Sequence, residues 1–271
     1  PFFFAHKELD QLYFQEPAMQ LVPKDLISRI SKETPKSSFS SFQKMLKEDK
    51  VDIFFLGDFN EIEIREHLEK YSFTGRQQDV KIQYHQPYSN ILNESFLRKN
   101  LGQSILEMGY HSSIGYGDEG QLAMLLVNGL LGAFPHSKLF TEVREKEALA
   151  YTVSSHLDLF SGRLRLFAGI DRKNRNKVRK LMNEQLVAIK KGEFSDIEIH
   201  QTKKMIKRSL LLSKDNQDSI IDREYLSQFF GKLGLDIHTL IEKLEQVEKD
   251  EICEAAGSLR LQAIYFMEGL E

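Results

Sequence analysis

Residues Ser137 to Ser155 read SKLFTEVREKEALAYTVSS, and the spacing of their apolar positions decides how the middle of the chain folds. Leu139, Phe140 and Val143 share one side of a short helix from Lys138 to about Lys146, with Arg144 at its end and Tyr151 opening a strand. A helix end that turns tightly into a strand brings this guanidinium and this phenol to the same edge of a sheet. There both can bind a carboxylate, a backbone carbonyl or a developing oxyanion. An arbitrary Arg and Tyr are more often a surface charge and a core aromatic, so the pattern alone does not assign the binding use.

Downstream, Ala150–Leu159 and Arg163–Ile170 read as two strands joined by a Ser161-Gly162 turn. Val178, Leu181, Met182, Leu186 and Ile189 have helical spacing that Gly192 ends, and Ser195 with Glu198 is a capping box that opens the next helix. Leu240, Ile241, Leu244 and Val247 mark another helix, Glu251–Leu259 a shorter one, and Leu261–Met267 a last strand. Upstream, Gln121–Leu131 (QLAMLLVNGLL) places Leu122, Leu125, Leu126 and Leu130 on a core-facing side, after one or two strands within Phe96–His111. Further upstream, Val51–Phe59 (VDIFFLGDF) reads as a buried strand, and Asn60 with Glu63 has capping-box spacing for a helix that fades at Tyr71. The order is that of an α+β fold.

Thr74 to about Ser95 is polar and turn-rich, which places a boundary near residue 85 between segments 1–85 and 86–271. Ile53–Gly57 and Ile264–Met267 are similar apolar strands, each preceded by a helix and a charged turn. As closing strands of two repeats they imply a repeat of roughly two hundred residues, of which the first is represented only by its last third. The start at Pro1, without methionine and inside a helical pattern, is consistent with that expectation.

Composition narrows the function classes. The net charge of −3 offers no field for nucleic acid or an anionic membrane, and no segment has the apolar length to cross a bilayer. One cysteine, Cys253, precludes an internal disulfide and a thiolate zinc cage, and cytoplasm is the expected compartment. Two basic groups, Arg172 to Lys180 and Lys203 to Arg208, read as solvated helix faces, with anion binding as the alternative.

Neither H-E-x-x-H nor H-x-x-E-H occurs, so no helix-borne zinc site is expected; His111, His136 and His156 could converge in three dimensions, but scattered histidines are more often surface or hydrogen-bonded core residues. Gly115–Gly120 (GYGDEG) matches G-x-G-x-x-G, the dinucleotide fingerprint. Asp118 and Glu119 set two carboxylates where a pyrophosphate needs free N–H groups, and a helix-capping role for Asp118 is preferred. No G-x-S-x-G elbow occurs, and Cys253 in an amphipathic helix reads as an inert thiol.

At S-K-L-F-x-E-V-R-E-K-x-x-L-A-Y the chain resembles the pitrilysin/insulinase superfamily, which includes the mitochondrial processing peptidases. The resemblance extends to the Val51–Phe73 region, GQSILEMGY, AMLLVNGLLG and GRLRLFAGID. It implies repeated α+β halves, each an antiparallel-rich sheet packed by helices: the C-terminal part of a first half with linker over 1–85 and a complete second half over 86–271. In that family the first half often carries H-x-x-E-H with a distal Glu for zinc, and the second supplies an Arg and a Tyr near the substrate. Arg144 and Tyr151 fall on those positions as substrate-binding residues. Where the family usually has Gly, this chain has Ala148, which puts the turn that aims Tyr151 in question. The helix at Gln121–Leu131 has no histidine in the place of the zinc motif.

The function this implies is a non-catalytic, peptide-binding part of a zinc peptidase, or of an inactive peptidase-like partner subunit. Zinc is expected only in a first half or a partner, and no cofactor or metal in this chain. The expected partners are a peptide or unfolded polypeptide, and a zinc-motif-bearing paralogue or a second copy; nucleic acid and membrane are not. A purely structural or assembly subunit with the same fold is the alternative, and a nucleotide-binding module ranks below it.

Overall fold

In the computed structural model, which describes residues 1–71, 73, 75, 76, 84, 86–230 and 236–270, five strands form one sheet. They are β1 (Asn93–Lys99), β2 (Ser104–His111), β3 (Ala150–Asp158), β4 (Arg163–Ile170) and β5 (Arg260–Gly269), in the order β1-β5-β2-β4-β3. Only β1 and β5 run parallel; the other three pairings are antiparallel. The expected hairpin is β3–β4, with Ser155 opposite Leu166 and Gly162 at φ +60 in its turn, a conformation open to glycine without cost. The expected α+β class with an antiparallel-rich sheet is what the chain adopts.

Helices α5 (Gln121–Asn128), α6 (Arg175–Lys190), α7 (Asp196–Leu212), α9 (Ile237–Gln246) and α10 (Lys249–Ser258) contribute to the core on one face of the sheet. Leu106, Met108, Leu164, Leu166, Ile264 and Phe266 meet Met124, Leu126, Met182 and Leu186 there. The local signals act as read: Gly192 takes φ +73 after α6, and Ser195 with Glu198 caps α7 reciprocally. Helix α8 (Gln217–Phe230) has no buried residue.

The opposite face is covered in part by α1 (Phe2–Tyr13), whose Ala5, Leu9 and Tyr13 pack on Ile105, Ala263, Tyr265 and Met267. A buried ion pair, Arg163 Nη1 donating to Asp10 Oδ1, ties this helix to β4. Its burial makes loss of either partner costly, because the remaining charge would be left without compensation.

Three further helices, α2 (Pro23–Ile30), α3 (Pro35–Glu48) and α4 (Glu61–Leu68), precede β1. Asn60 caps α4 as expected, its Oδ1 accepting from Ile62 N at 3.0 Å, while Glu63 accepts from the Asn60 side chain rather than from its backbone. The expected strand at Val51–Phe59 does not form. Those residues carry no strand pairing, and Val51, Ile53, Phe55, Leu56 and Phe59 are exposed. Apolar, β-branched character supplies a strand's side chains but not the neighbour that must accept and donate its backbone hydrogen bonds. Ile53–Gly57 therefore does not pair like Ile264–Met267, which lies within β5 between two neighbours. The linker expected at Thr74–Ser95 lies partly outside the described residues.

Candidate functional site

The Ser137–Ser155 segment forms the expected helix and strand, with one difference in kind. Leu139–Lys146 is a π-helix, in which Glu147 N reaches back five residues to Glu142 O at 3.2 Å. A second π-helical turn, Gly129–Ala133, extends α5. Leu139 and Val143 are fully buried and anchor the longer segment to the core. Gly132 explains how closely the Gly129–Ala133 turn sits on β3: a Cβ there would lie 2.6 Å from Ser155 N and 2.8 Å from Ser155 Oγ. Ser155 Oγ in turn donates to Asn128 Oδ1 at 2.7 Å, joining α5 to β3.

The turn into β3 passes through Ala148 at φ +49, the one described non-glycine residue with positive φ. A methyl group there carries a steric cost of roughly 1–2 kcal/mol in the left-handed region. The turn is closed by Leu149 N donating to Val143 O at 3.0 Å. Alanine thus holds a conformation that glycine adopts freely, and Tyr151 follows at the second position of the strand.

Arg144 and Tyr151 both lie on the surface, with the Arg144 side chain 44% exposed and Tyr151 61% exposed. The Arg144 guanidinium lies 4.7 Å from the centre of the Phe140 ring and 4.0 Å from Glu145 Oε1. Tyr151 Oη donates to Asp171 Oδ1 at 3.2 Å, and this hydrogen bond with the neighbouring carboxylate charge pushes the phenol pKa up. Asp171, just beyond β4, borders a depression of about 280 Å³ together with Ser104, Arg172 and Lys173. Asp171 carries no sequence signal of its own; only the closing of β4 beside β3 reveals it as the partner of Tyr151.

Among the described residues β3 is the end strand of the sheet, with β4 as its one sheet neighbour. Along it Thr152, Ser154 and His156 are exposed, while Val153 and Ser155 turn into the helix-covered core. His156 is held below the usual histidine pKa by burial and then by Arg165 and Arg163, with Asp158 acting in the opposite direction. The edge of an end strand can pair with an extended chain through its main chain.

The described residues contain no group of three or more His, Cys, Asp or Glu suited to a metal ion. His111 Nε2 lies 2.9 Å from Gln86 O, and His136 Nε2 lies 2.9 Å from Thr202 Oγ1, so these histidines serve separate structural contacts. Among the described residues, a zinc ion of the kind the resemblance implies has no fitting donor set. Around Gly115–Gly120, Asp118 Oδ2 accepts from Gly115 N at 2.7 Å and Gln121 Oε1 accepts from Gly117 N at 2.9 Å. Two amides that a phosphate would need are thus already engaged. The capping role expected of Asp118 is corrected: Gly120 is the N-cap of α5, without a side-chain cap, because the Asp118 carboxylate turns back to Gly115. Cys253 is half-buried in α10 and packs on the core. The basic groups are largely paired: Arg179 and Arg175 with Glu94, Lys177 with Glu147, and Lys203 with the Glu245 and Val247 carbonyls.

Comparison with known proteins bears on the family and the fold. Residues 34–206 match the family model described as the peptidase M16 inactive domain. The chain is 30% identical to the "Probable inactive metalloprotease YmfF" of Bacillus subtilis over 88% of its own length and 56% of that protein's. It is also 25% identical to an "Uncharacterized zinc protease YmxG" of the same organism over 60% of this chain and 40% of that one. A crystal structure of a conserved protein from Enterococcus faecalis superposes with a TM-score of 0.93 at 40% identity, covering 98% of this chain and 63% of that one. The peptidase M16 inactive domain from Pseudomonas fluorescens has the same fold, with a TM-score of 0.76 at 15% identity over 98% and 65% of the two chains. The chain thus spans little more than half the length of YmfF and less of YmxG. It belongs to the M16 peptidases, as one of their inactive domains, the family that Ser137–Ser155 resembles.

Proposed function

We propose that the chain is a zinc-free, peptide-binding part of an M16-type peptidase or of an inactive peptidase-like partner, with Arg144 and Tyr151 as its substrate-binding residues. The observation that carries this reading is the exposure of Tyr151 at the start of β3, the end strand of the sheet, and of Arg144 on the helix that precedes it. An extended peptide or unfolded segment adds to β3 by main-chain hydrogen bonds, while the guanidinium donates to its carbonyls and the phenol oxygen, whose one O–H goes to Asp171, accepts from its N–H groups. In this reading residues 1–85 are the C-terminal part of a first half, and 86–271 are a second half. Any zinc resides in a first half, in a motif-bearing paralogue or in a second copy, and the compartment is the cytoplasm. Titrating a fluorescent extended peptide and following anisotropy tests it. Arg144→Ala and Tyr151→Phe should each weaken binding about tenfold, the worth of one charge-assisted or well-placed hydrogen bond. Unchanged affinity in both variants would remove these residues from the site.

A structural or assembly role is the second reading, and a specific surface supports it. Ile27, Ile30, Phe39, Phe42 and Leu46 are exposed on α2 and α3, and a groove of about 800 Å³ beside α4 is lined by Val51, Ile53 and Phe55. Apolar surface on this scale marks contact with another protein part. Intact assembly in the peptide-binding variants, with no peptide affinity in the parent chain, would favour it.

A further inference from the structure

The two faces of β3 differ in what lies behind them. Val153, Ser155 and Leu157 pair with Ala168, Leu166 and Leu164, which belong to the helix-covered core. Thr152, Ser154 and His156 pair with Gly169, Phe167 and Arg165 on the opposite face, the one that α1 covers in part. The register slips only between Ala150 and Thr152, so from Thr152 onward the strand alternates regularly. Helix α1 packs on Ile105 of β2 and on Ala263, Tyr265 and Met267 of β5. It reaches β4 through the Asp10–Arg163 pair and through Phe2, whose ring meets that of Phe167 edge to face at 5.2 Å. Thr152, Ser154 and His156 lie exposed beyond this cover.

The three positions of this exposed row are not alike. At Thr152 the space above the sheet is filled, because a Cβ on the opposite Gly169 would lie 2.5 Å from Gln103 Nε2 and 2.8 Å from Thr152 Oγ1. Ser154 is the smallest side chain of the row, and behind it stands Phe167, half-buried, with the exposed Phe2 against it. A short outer side chain leaves that aromatic pair within reach of a bulky neighbour added at the strand's edge. At His156 the row turns cationic. Arg165 lies opposite, its Nη1 reaching both Glu107 oxygens at 3.4 Å and its Nε buried without a partner among the described residues. Partial burial first, then the Arg165 and Arg163 charges, hold His156 below its ordinary pKa against Asp158, with His6 acting in the same sense as the arginines. The charges that reach this position therefore sum to a positive field.

We propose that Ser154 and His156 select the polypeptide that pairs with β3, taking an aromatic residue beside Ser154 and, two positions away, an acidic residue beside His156. The inference rests on the reading that an extended chain adds to β3. Such a chain continues the alternation of the sheet, so every second side chain falls on the face shared with α1. Residues two apart then stand beside Ser154 and His156 whichever way the chain runs. The aromatic ring leans over Ser154 onto Phe167 and Phe2, and the carboxylate lies in the field of Arg165 and accepts from the imidazole. A lysine in place of the acid would meet that field without compensation. The substrate class is thus extended or unfolded polypeptide with an aromatic and an acidic residue separated by one residue.

The test is fluorescence anisotropy with short peptides of one alternating Thr/Val background that differ only at the centre: Phe-Thr-Glu, Ser-Thr-Glu, Phe-Thr-Lys, and the same three in reversed order. Replacing Phe by Ser, or Glu by Lys, should each weaken binding about threefold to fivefold, the size of one cross-strand pair. Whichever order binds tighter gives the direction of the bound chain, and a preference in either order supports the selection. Ser154→Tyr, which fills the space over Phe167, should erase the difference between the Phe and Ser peptides, and His156→Glu should turn the preference from Glu to Lys. Both positions are exposed, and the peptide series tests the selection without altering the protein. Equal affinity for Phe and Ser, or for Glu and Lys, in both orders would overturn the selection while leaving the pairing with β3 standing. A preference unchanged in folded Ser154→Tyr and His156→Glu chains would overturn the assignment to these residues. Absence of binding by every peptide would overturn the pairing itself, and the selection with it.

Discussion

Ala148 shows how a residue can depart from a pattern while keeping its geometry. It holds φ +49 where glycine would meet no steric cost, and buried Val143 fixes the turn through the Leu149 hydrogen bond. Ala148→Gly removes the left-handed penalty but gives the unfolded chain more freedom, two opposing effects of roughly 1–2 and 0.4–1 kcal/mol. The expected net is a stabilisation between zero and about 1.6 kcal/mol, read as a higher denaturant midpoint at unchanged slope. At this scale Arg144 and Tyr151 were legible as candidates because helix spacing and the following strand can be read locally. Asp171 was not, because its contact with Tyr151 exists only once β4 has closed beside β3.

Among the elements, the two π-helical segments position β3, and their sequences announce only a helix. Period 3.6 and the wider π turn place apolar residues at nearly the same spacings over one or two turns, so the pattern cannot separate them. The close approach of Gly132 to the Ser155 backbone makes this contact testable. Gly132→Ala must push the π turn away from β3 and should cost about 1–3 kcal/mol, the range of an overpacked core, measured by chemical denaturation.

His136 links the loop between the two π segments to α7. Burial holds its pKa below the ordinary 6.5, with Glu198 acting in the opposite direction. A histidine with a depressed folded pKa binds its proton more readily when unfolded. Its stabilising contribution is therefore complete above pH 6.5 and is lost as pH falls through the folded pKa. His156, depressed for its own reasons, adds in the same sense. Thermal melts from about pH 8 to about pH 5 should show falling stability over that window, with a shallower fall in His136→Gln.

For the whole molecule, class was legible and arrangement was not. Alternation and capping signals marked the hairpin, α6, α7, α9 and α10, because each rests on residues close in sequence. The sheet order could not be read this way: β5, last in the chain, lies between β1 and β2, and α1 reaches the far face from the other terminus. Val51–Phe59 was misread for the same reason, since its side chains favour a strand while a strand also needs a neighbour. Its exposed apolar residues and those of α2 and α3 are the surface on which the proposed first half or an assembly partner would act.

The central claim is that β3, beside Arg144 and Tyr151, receives an extended polypeptide along its open edge. Hydrogen exchange on β3 with saturating peptide tests it most directly. The account predicts new protection at those amides of residues 151–156 that β4 does not engage, lost in the Arg144→Ala, Tyr151→Phe double variant. Peptide bound at saturation while these amides exchange as fast as in the free chain would contradict it.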